Sequence, residues 1–114
     1  MTPFSYLLIA HLIGDYLFQT SWMAMNKHAK WLPLFVHSFV YTAVIAIASF
    51  VAFEGLSWWA ILFVFVTHVI VDRRTIVLWW VKNIMRTDPK QVGWLVIMVD
   101  QVFHIIVLAV ALHI

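Results

Sequence analysis

Long apolar runs dominate the chain, and polar residues gather in the breaks between them. A helix that crosses a bilayer needs about 20 mostly apolar residues, and four segments meet that requirement. No segment alternates apolar and polar residues as a half-buried strand does. The sequence therefore predicts an all-α fold, an integral membrane four-helix bundle with short loops, and the predicted spans cover about residues 3–25, 32–53, 57–85 and 92–113.

The third segment permits two interpretations. Its apolar run reaches Arg73 and Arg74 and then resumes with "TIVLWWVKNIMRTD". The resumed part is either a continuation of the helix into the cytoplasm or a separate amphipathic helix in the membrane interface, where Trp79 and Trp80 would be favoured. We favour the largely continuous helix, which then ends at about Met85.

The composition supports a membrane protein of one domain, residues 1–114. Hydrophobic residues make up 65% of the chain, charged residues 11%, and the mean hydropathy is +0.98. A soluble domain is about half apolar and a quarter charged, so this chain has too little polar surface to cover a water-exposed globule. The N-terminus lacks the basic region and cleavage site of a signal peptide, and we expect Met1–Ile114 to be the mature chain.

The basic residues predict the orientation. All seven lie in the first and third connections: Lys27, Lys30, Arg73, Arg74, Lys82, Arg86 and Lys90. The chain is predicted to lie in the inner (cytoplasmic) membrane. Because basic loops stay in the cytoplasm, both termini are predicted to face the outside. The formal net charge of +2 is too small to indicate nucleic-acid binding.

Every predicted span carries a pair of polar residues four positions apart. Residues at i and i+4 are neighbours on one helical face, with Cβ atoms about 5–6 Å apart. The alternating directions of the helices bring the pairs to similar depths in the cytoplasmic half of the bundle. The sequence therefore predicts one internal site with seven potential metal ligands: His11, Asp15, His37, His68, Asp72, Asp100 and His104.

The cost of burying carboxylates favours a bound cation. One Asp near the centre of a membrane helix costs about 2.5–3.5 kcal/mol on insertion scales. A divalent metal would use imidazoles and carboxylates together and offset the charge. With no cysteine in the chain, the donors favour one or two Zn²⁺ ions and leave Mn²⁺ and Fe²⁺ open. A metal-free polar network that relays protons is the alternative.

Other polar residues are predicted to support this site. Gln19, Tyr41 and Gln101 would orient the ligands as hydrogen-bond partners or, independently, bridge helices. Arg73 and Arg74 would bind the anionic part of a substrate or act only as inside-facing anchors.

The opening "HLIGDYLFQTSWM" carries a motif, H-x-x-G-D-x-x-x-Q-x-x-x-M, at His11, Gly14, Asp15, Gln19 and Met23. With "HSFVYT", "HVIVDRR" and "DQVFH", it resembles a family of small bacterial and phage membrane proteins catalogued as a domain of unknown function. The resemblance covers nearly the whole chain. A looser similarity is to predicted membrane-bound metal-dependent hydrolases, which also place His and Asp pairs in apolar helices.

Three functions are compatible with these features. A metal-dependent hydrolase would attack a lipid or headgroup ester with a metal-bound hydroxide, using Asp15 or Asp100 as general base. An oligomeric transport component would pass protons or metal ions along the polar layer. A non-catalytic membrane protein would act by binding a partner. All three functions place the chain in a lipid bilayer, and each of them permits a homo-oligomer.

Overall fold

The computed structural model describes all residues, Met1–Ile114, and contains α-helices without any strand. The helices are α1 (Pro3–Leu12), α2 (Ser21–Asn26), α3 (Trp31–Ala52), α4 (Trp58–Asp72), α5 (Thr75–Asn83) and α6 (Gly93–Ala111). A π-helical turn, Ile13–Leu17, continues directly from α1. The prediction of an all-α chain is confirmed.

Four of the helices form a closed ring. α1 packs on α3, α3 on α4, α4 on α6, and α6 on α1. One apolar cluster, which includes Leu7, Ile45 and Leu108, fills one end of the ring. A second cluster, which includes Val77 and Val96, lies towards α5. Along α4 and α6, the polar residues fall between these two apolar clusters.

Side-chain caps fix where α1 and α4 begin. The Thr2 hydroxyl accepts a hydrogen bond from the Ser5 N–H, and the Ser57 hydroxyl accepts one from the Ala60 N–H. Such caps satisfy N–H groups that have no partner within the helix. Before α4, Gly55 adopts φ 95°, a left-handed conformation that favours glycine. The first residue of each helix determines how far along the bundle its polar residues lie, His11 on α1 and His68 and Asp72 on α4.

The first predicted span, residues 3–25, is not one continuous helix. The Phe18 N–H bonds the carbonyl of Ile13, five residues back, and the chain then leaves the helix. Thr20 is extended, and its hydroxyl accepts from the Met23 N–H to start α2. The prediction of an unbroken helix is wrong here because the π-helical turn and the Thr20 cap impose a stop and a new start.

The favoured continuous helix over residues 57–85 is also wrong. The chain turns at Arg74, which has the left-handed φ of 65°. The turn lets Val77 and Val81 of α5 pack in the cluster with Val96 of α6, whereas a continuous helix would point away from α6. The structure matches the alternative of a separate amphipathic helix, since burial of this apolar face outweighs helix continuity.

Two helices, α3 and α6, are long and apolar enough to cross a membrane, whereas α4 is a shorter apolar helix of 15 residues. Within the most apolar 18-residue stretch of each helix, only 39% of the residues of α3 and 28% of those of α6 are buried. A core helix of a soluble protein would be mostly buried. The exposed apolar faces of these helices indicate association with a membrane.

Candidate metal centre

Asp72 lies at the centre of the polar cluster and is completely buried. Its Oδ2 lies 3.0 Å from His37 Nε2 and 3.0 Å from His68 Nε2. Its Oδ1 lies 3.2 Å from His104 Nε2. Residues from α3, α4 and α6 therefore meet at one carboxylate.

The π-helical turn brings a second carboxylate to this point. Asp15 is 3% exposed, and its Oδ1 accepts a hydrogen bond from His37 Nε2 at 2.9 Å. The preceding Gly14 allows α1 to approach α3, because a Cβ there would lie 3.2 Å from Tyr41 Cδ2. Turns of this kind occur frequently at functional sites. Gly14 of the opening motif therefore lies where α1 and α3 pack closely.

Four residues could hold a metal ion together: Asp15, His68, Asp72 and His104. One ligand atom from each lies within 4.8 Å of the others, and all four side chains are buried. Bonds of about 2.1 Å to a tetrahedral Zn²⁺ place ligand atoms about 3.4 Å apart. A small inward movement of these side chains would therefore complete a two-nitrogen, two-oxygen coordination sphere.

The donors and acceptors of the cluster are mismatched without a cation. His104 Nδ1 donates to the Asp100 backbone carbonyl at 2.7 Å, so the neutral ring carries a lone pair on Nε2. That lone pair faces the Asp72 Oδ1. Asp72 Oδ1, both His68 ring nitrogens and His104 Nε2 are buried without a hydrogen bond, and Asp72 Oδ2 is paired only with the Lys27 ammonium, 3.0 Å away. A metal ion or added protons would remove this conflict of facing acceptors.

His11, predicted as a ligand, uses both ring nitrogens in hydrogen bonds. The Tyr41 hydroxyl donates to Nδ1 at 2.7 Å, and Nε2–H donates to Gln101 Oε1 at 2.7 Å. The Gln101 amide nitrogen then donates to Asp15 Oδ2 at 3.4 Å and to Asp100 Oδ2 at 3.3 Å. His11 therefore belongs to a hydrogen-bonded chain that includes Tyr41 and Gln101 and reaches the carboxylates of Asp15 and Asp100. The role of Tyr41 and Gln101 in orienting metal ligands stays a prediction.

The remaining predicted site residues differ in position. Asp100 is 3% exposed and borders the cluster, with Oδ1 3.8 Å from His104 Nδ1. His37 bridges Asp15 and Asp72, as described above. Gln19 makes no hydrogen bond to the cluster, and its Oε1 is buried without a partner. It lies in the break after the π-helical turn, and the structure shows no hydrogen bond by which it would orient the predicted ligands.

Lys27 was not among the predicted site residues, yet the structure places it in the polar cluster. Although it follows α2 in a connection, it is only 7% exposed. Its Nζ lies 3.0 Å from Asp72 Oδ2, 3.9 Å from Asp15 Oδ1 and 3.4 Å from His37 Nε2. One signal was available: the apolar runs 3–25, 32–53, 57–72 and 92–113 contain no Lys or Arg, so a cation that pairs with their buried carboxylates must come from outside these runs.

The neighbouring connection also contacts the end of α4. His28 Nδ1–H donates to the Asp72 backbone carbonyl at 2.6 Å. Burial lowers the pKa of His28 below its usual value, in keeping with a neutral ring that donates this bond. The Arg73 guanidinium lies 4.2 Å from the ring centroid of Trp31, and neither Arg73 nor Arg74 forms an ion pair. Their role in substrate binding stays a prediction.

The space at the cluster is small. A void of about 10 Å³ lies between Tyr41, His68 and His104 on one side and Val64 and Val107 on the other. A volume of about 10–15 Å³ holds one water molecule. The cluster therefore accommodates an ion or a water, and an organic substrate would require the helices to separate.

The chain was compared with known proteins. The family model described as "Protein of unknown function (DUF3307)" matches residues 4–114. No curated protein and no solved structure gives a match. The match covers the whole helical ring and every residue of the polar cluster, so the chain belongs to the DUF3307 family.

Proposed function

We propose that this chain is an integral membrane metalloprotein that binds one divalent cation through Asp15, His68, Asp72 and His104. The observation that carries the proposal is the buried contact of 3.2 Å between His104 Nε2 and Asp72 Oδ1, which sets two acceptors against each other when the His104 ring is neutral. A carboxylate and an imidazole in that relation are ligands that Zn²⁺ accepts, and a site of nitrogen and oxygen donors generally binds Mn²⁺ and Fe²⁺ less tightly than Zn²⁺.

The charges at the cluster agree with a dication. Three buried carboxylates, Asp15, Asp72 and Asp100, contribute −3 when ionised, and Lys27 contributes +1. The sum, −3 + 1 = −2, is balanced by one divalent cation. Because charges buried in an apolar medium must be compensated, a dication stabilises all three ionised carboxylates at once.

The tryptophans support a bilayer position with the predicted orientation. Trp31 begins α3, Trp94 is the second residue of α6, and Trp79 lies on α5, at the end of the ring that carries the basic residues. Trp58 and Trp59 begin α4 at the opposite end. Tryptophan is enriched at both membrane–water interfaces, and basic loops remain cytoplasmic, so both termini would face outward from the cytoplasmic membrane.

Hydrolysis of a lipid or headgroup ester is a further step that the bound cation permits. A metal ion that holds a water lowers its pKa and supplies hydroxide, so one of the four protein ligands would have to leave, or the coordination number would have to rise to five, before Asp100 could accept a proton from that water. The small void requires the ring to open before an ester reaches the metal. Cation binding is therefore the function that the geometry supports best, and catalysis depends on that opening.

Metal content of the full chain, purified in detergent and supplied with Zn²⁺ or Mn²⁺, tests the proposal. Wild type should carry about one equivalent, the number expected for a single four-ligand site. Asp72→Asn keeps the shape of the side chain and should lose the metal. Arg73→Ala, a change at the next residue, should retain it, since a guanidinium does not coordinate metals.

A metal-free wild type would contradict the proposal. In that case protons on the imidazoles would resolve the conflict of acceptors, and the chain from Tyr41 through His11 and Gln101 to the carboxylates would be a proton-relay network. Unfolding measurements distinguish a metal centre from a proton-relay network, because added metal would leave the stability of a proton-relay protein unchanged.

A further inference from the structure

The chain between α5 and α6 encloses a polar groove that is separate from the metal centre. Its volume is about 930 Å³, and only two of the nine residues that line it are hydrophobic. The charged residues in the lining are Lys82, Arg86, Asp88 and Lys90. Three cations and one carboxylate give a net charge of 3 − 1 = +2, so the groove carries concentrated positive charge.

None of the three cations is neutralised by an ion pair. Every salt bridge in the structure lies in the metal centre, and none includes Lys82, Arg86 or Lys90. The one acidic residue, Asp88, accepts a hydrogen bond from the Lys90 backbone N–H at 2.9 Å and so stabilises the turn. The groove therefore offers free donors to an anion.

The backbone at one of these cations has a rare conformation. Arg86 has φ 53°, which is uncommon for a residue other than glycine. The N–H groups on either side of it, of Met85 and Thr87, donate to the carbonyls of Trp80 and Val81 at 3.1 and 3.0 Å. Unusual backbone angles persist where the surrounding structure enforces them, and they are concentrated at binding sites.

Exposed apolar side chains adjoin the cations on α5. Trp79 is 54% exposed and Leu78 is 42% exposed, and both line the groove beside Lys82. The other face of α5 is anchored by the buried Val77 and Val81. An anchored helix that presents an indole, an aliphatic chain and a cation together has the character of an interfacial helix.

We propose that this groove binds the phosphate headgroup of an anionic phospholipid of the cytoplasmic leaflet. Lys82, Arg86 and Lys90 surround the phosphate, and Trp79 and Leu78 contact the adjoining glycerol and acyl chain. The charge complementarity is direct, because anionic lipids lie on the side where basic segments are retained. The assignment rests on the membrane orientation proposed above and is independent of the metal.

Retention of lipid by the full chain tests this assignment. The protein is reconstituted in nanodiscs of phosphatidylcholine and phosphatidylglycerol and extracted into neutral detergent, and native mass spectrometry counts the lipids that remain bound. Wild type should retain phosphatidylglycerol in preference to phosphatidylcholine. Lys82→Gln and Lys90→Gln should each weaken retention roughly fivefold, the contribution expected of one basic residue. Lys30→Gln, which removes an exposed lysine outside the groove, is the matched control and should match wild type.

The outcomes that overturn the assignment are distinct. Equal loss in Lys30→Gln would show general attraction to the membrane surface. Displacement of phosphatidylglycerol by an equal concentration of inorganic phosphate would assign the groove to a soluble anion. A detergent-dependent protein that retains no phosphatidylglycerol would refute the headgroup site alone, whereas a protein that stays soluble without detergent would refute the membrane position itself.

Discussion

Replacement of Lys27 by methionine tests whether its ammonium and a metal ion share the same carboxylates. Nζ lies 3.0 Å from Asp72 Oδ2 and 3.9 Å from Asp15 Oδ1, and the side chain is buried. Methionine keeps much of the length of the side chain and removes its charge. We expect the variant to bind metal more tightly and to be less stable when metal-free.

The magnitude follows from the distances. Two unit charges about 4 Å apart interact by about 4 kcal/mol at an effective dielectric constant of 20. If a third of that repulsion acted between the ammonium and a bound cation, its removal would tighten metal binding by about tenfold. In the absence of metal, loss of one partner of a buried ion pair lowers the free energy of unfolding by about 3–5 kcal/mol.

Two assays on the detergent-purified chain measure these effects. Competition with a chromophoric zinc chelator gives the Kd, and unfolding with and without Zn²⁺ gives the stability. Added metal should narrow the stability gap between Lys27→Met and wild type, because the dication then compensates the carboxylates. Lys30→Met, an exposed lysine in the same connection, should change neither quantity. Weaker metal binding in Lys27→Met would refute the reasoning, since Lys27 would then assemble the site rather than compete for it.

Four further predictions follow from the same geometry. Metal affinity should fall as the pH decreases through the ordinary histidine pKa of about 6.5. The fall should reach about a hundredfold per pH unit, because two imidazoles must lose protons to bind the metal. A metal content that does not change with pH would contradict this. His11→Ala should retain the metal, because His11 is not one of the four proposed ligands. It should lower the free energy of unfolding by about 1–3 kcal/mol for each partner left unpaired, the Tyr41 hydroxyl and the Gln101 amide oxygen. Loss of the metal would make His11 a ligand. Arg74→Gly should fold at least as stably as wild type, whereas Arg74→Val should lose about 1–2 kcal/mol because its φ is left-handed. A topology reporter fused after Ile114 should behave as periplasmic, and cytoplasmic activity would overturn the orientation.

The convergence of the polar residues could be predicted because it depends on helical period alone. His68 and Asp72 lie within one helix, and the same spacing relates Asp100 to His104. Within a continuous helix, four residues return the side chain to the same face, and apolar neighbours leave the interior as the only favourable direction for a polar group. For this reason the pairs on α4 and α6 lie in the cluster, whereas Asp15 reaches it from the π-helical turn.

The ends of the helices could not be predicted in the same way. The π-helical turn adds a residue to the period after Leu12, which turns Asp15 inward and removes Gln19 from the face that it would share in a regular helix. At Arg74, the choice between a continuous helix and a turn depends on the packing of Val77 and Val81 on α6. That packing is a tertiary contact, and local sequence does not encode it.

The position of Lys27 shows how charge balance extends what periodicity predicts. Hydropathy assigns a lysine in a connection to the aqueous side, yet a long side chain close to the end of a helix can reach inward when carboxylates attract it. Three aspartates lie within the apolar runs 3–25, 57–72 and 92–113, which contain no Lys or Arg, so these runs carry uncompensated negative charge. One positive charge arrives with Lys27, and a charge of −2 remains. The compensation of that remainder, by one dication or by protons on the imidazoles, determines whether this cluster is a metal centre or a proton-relay network.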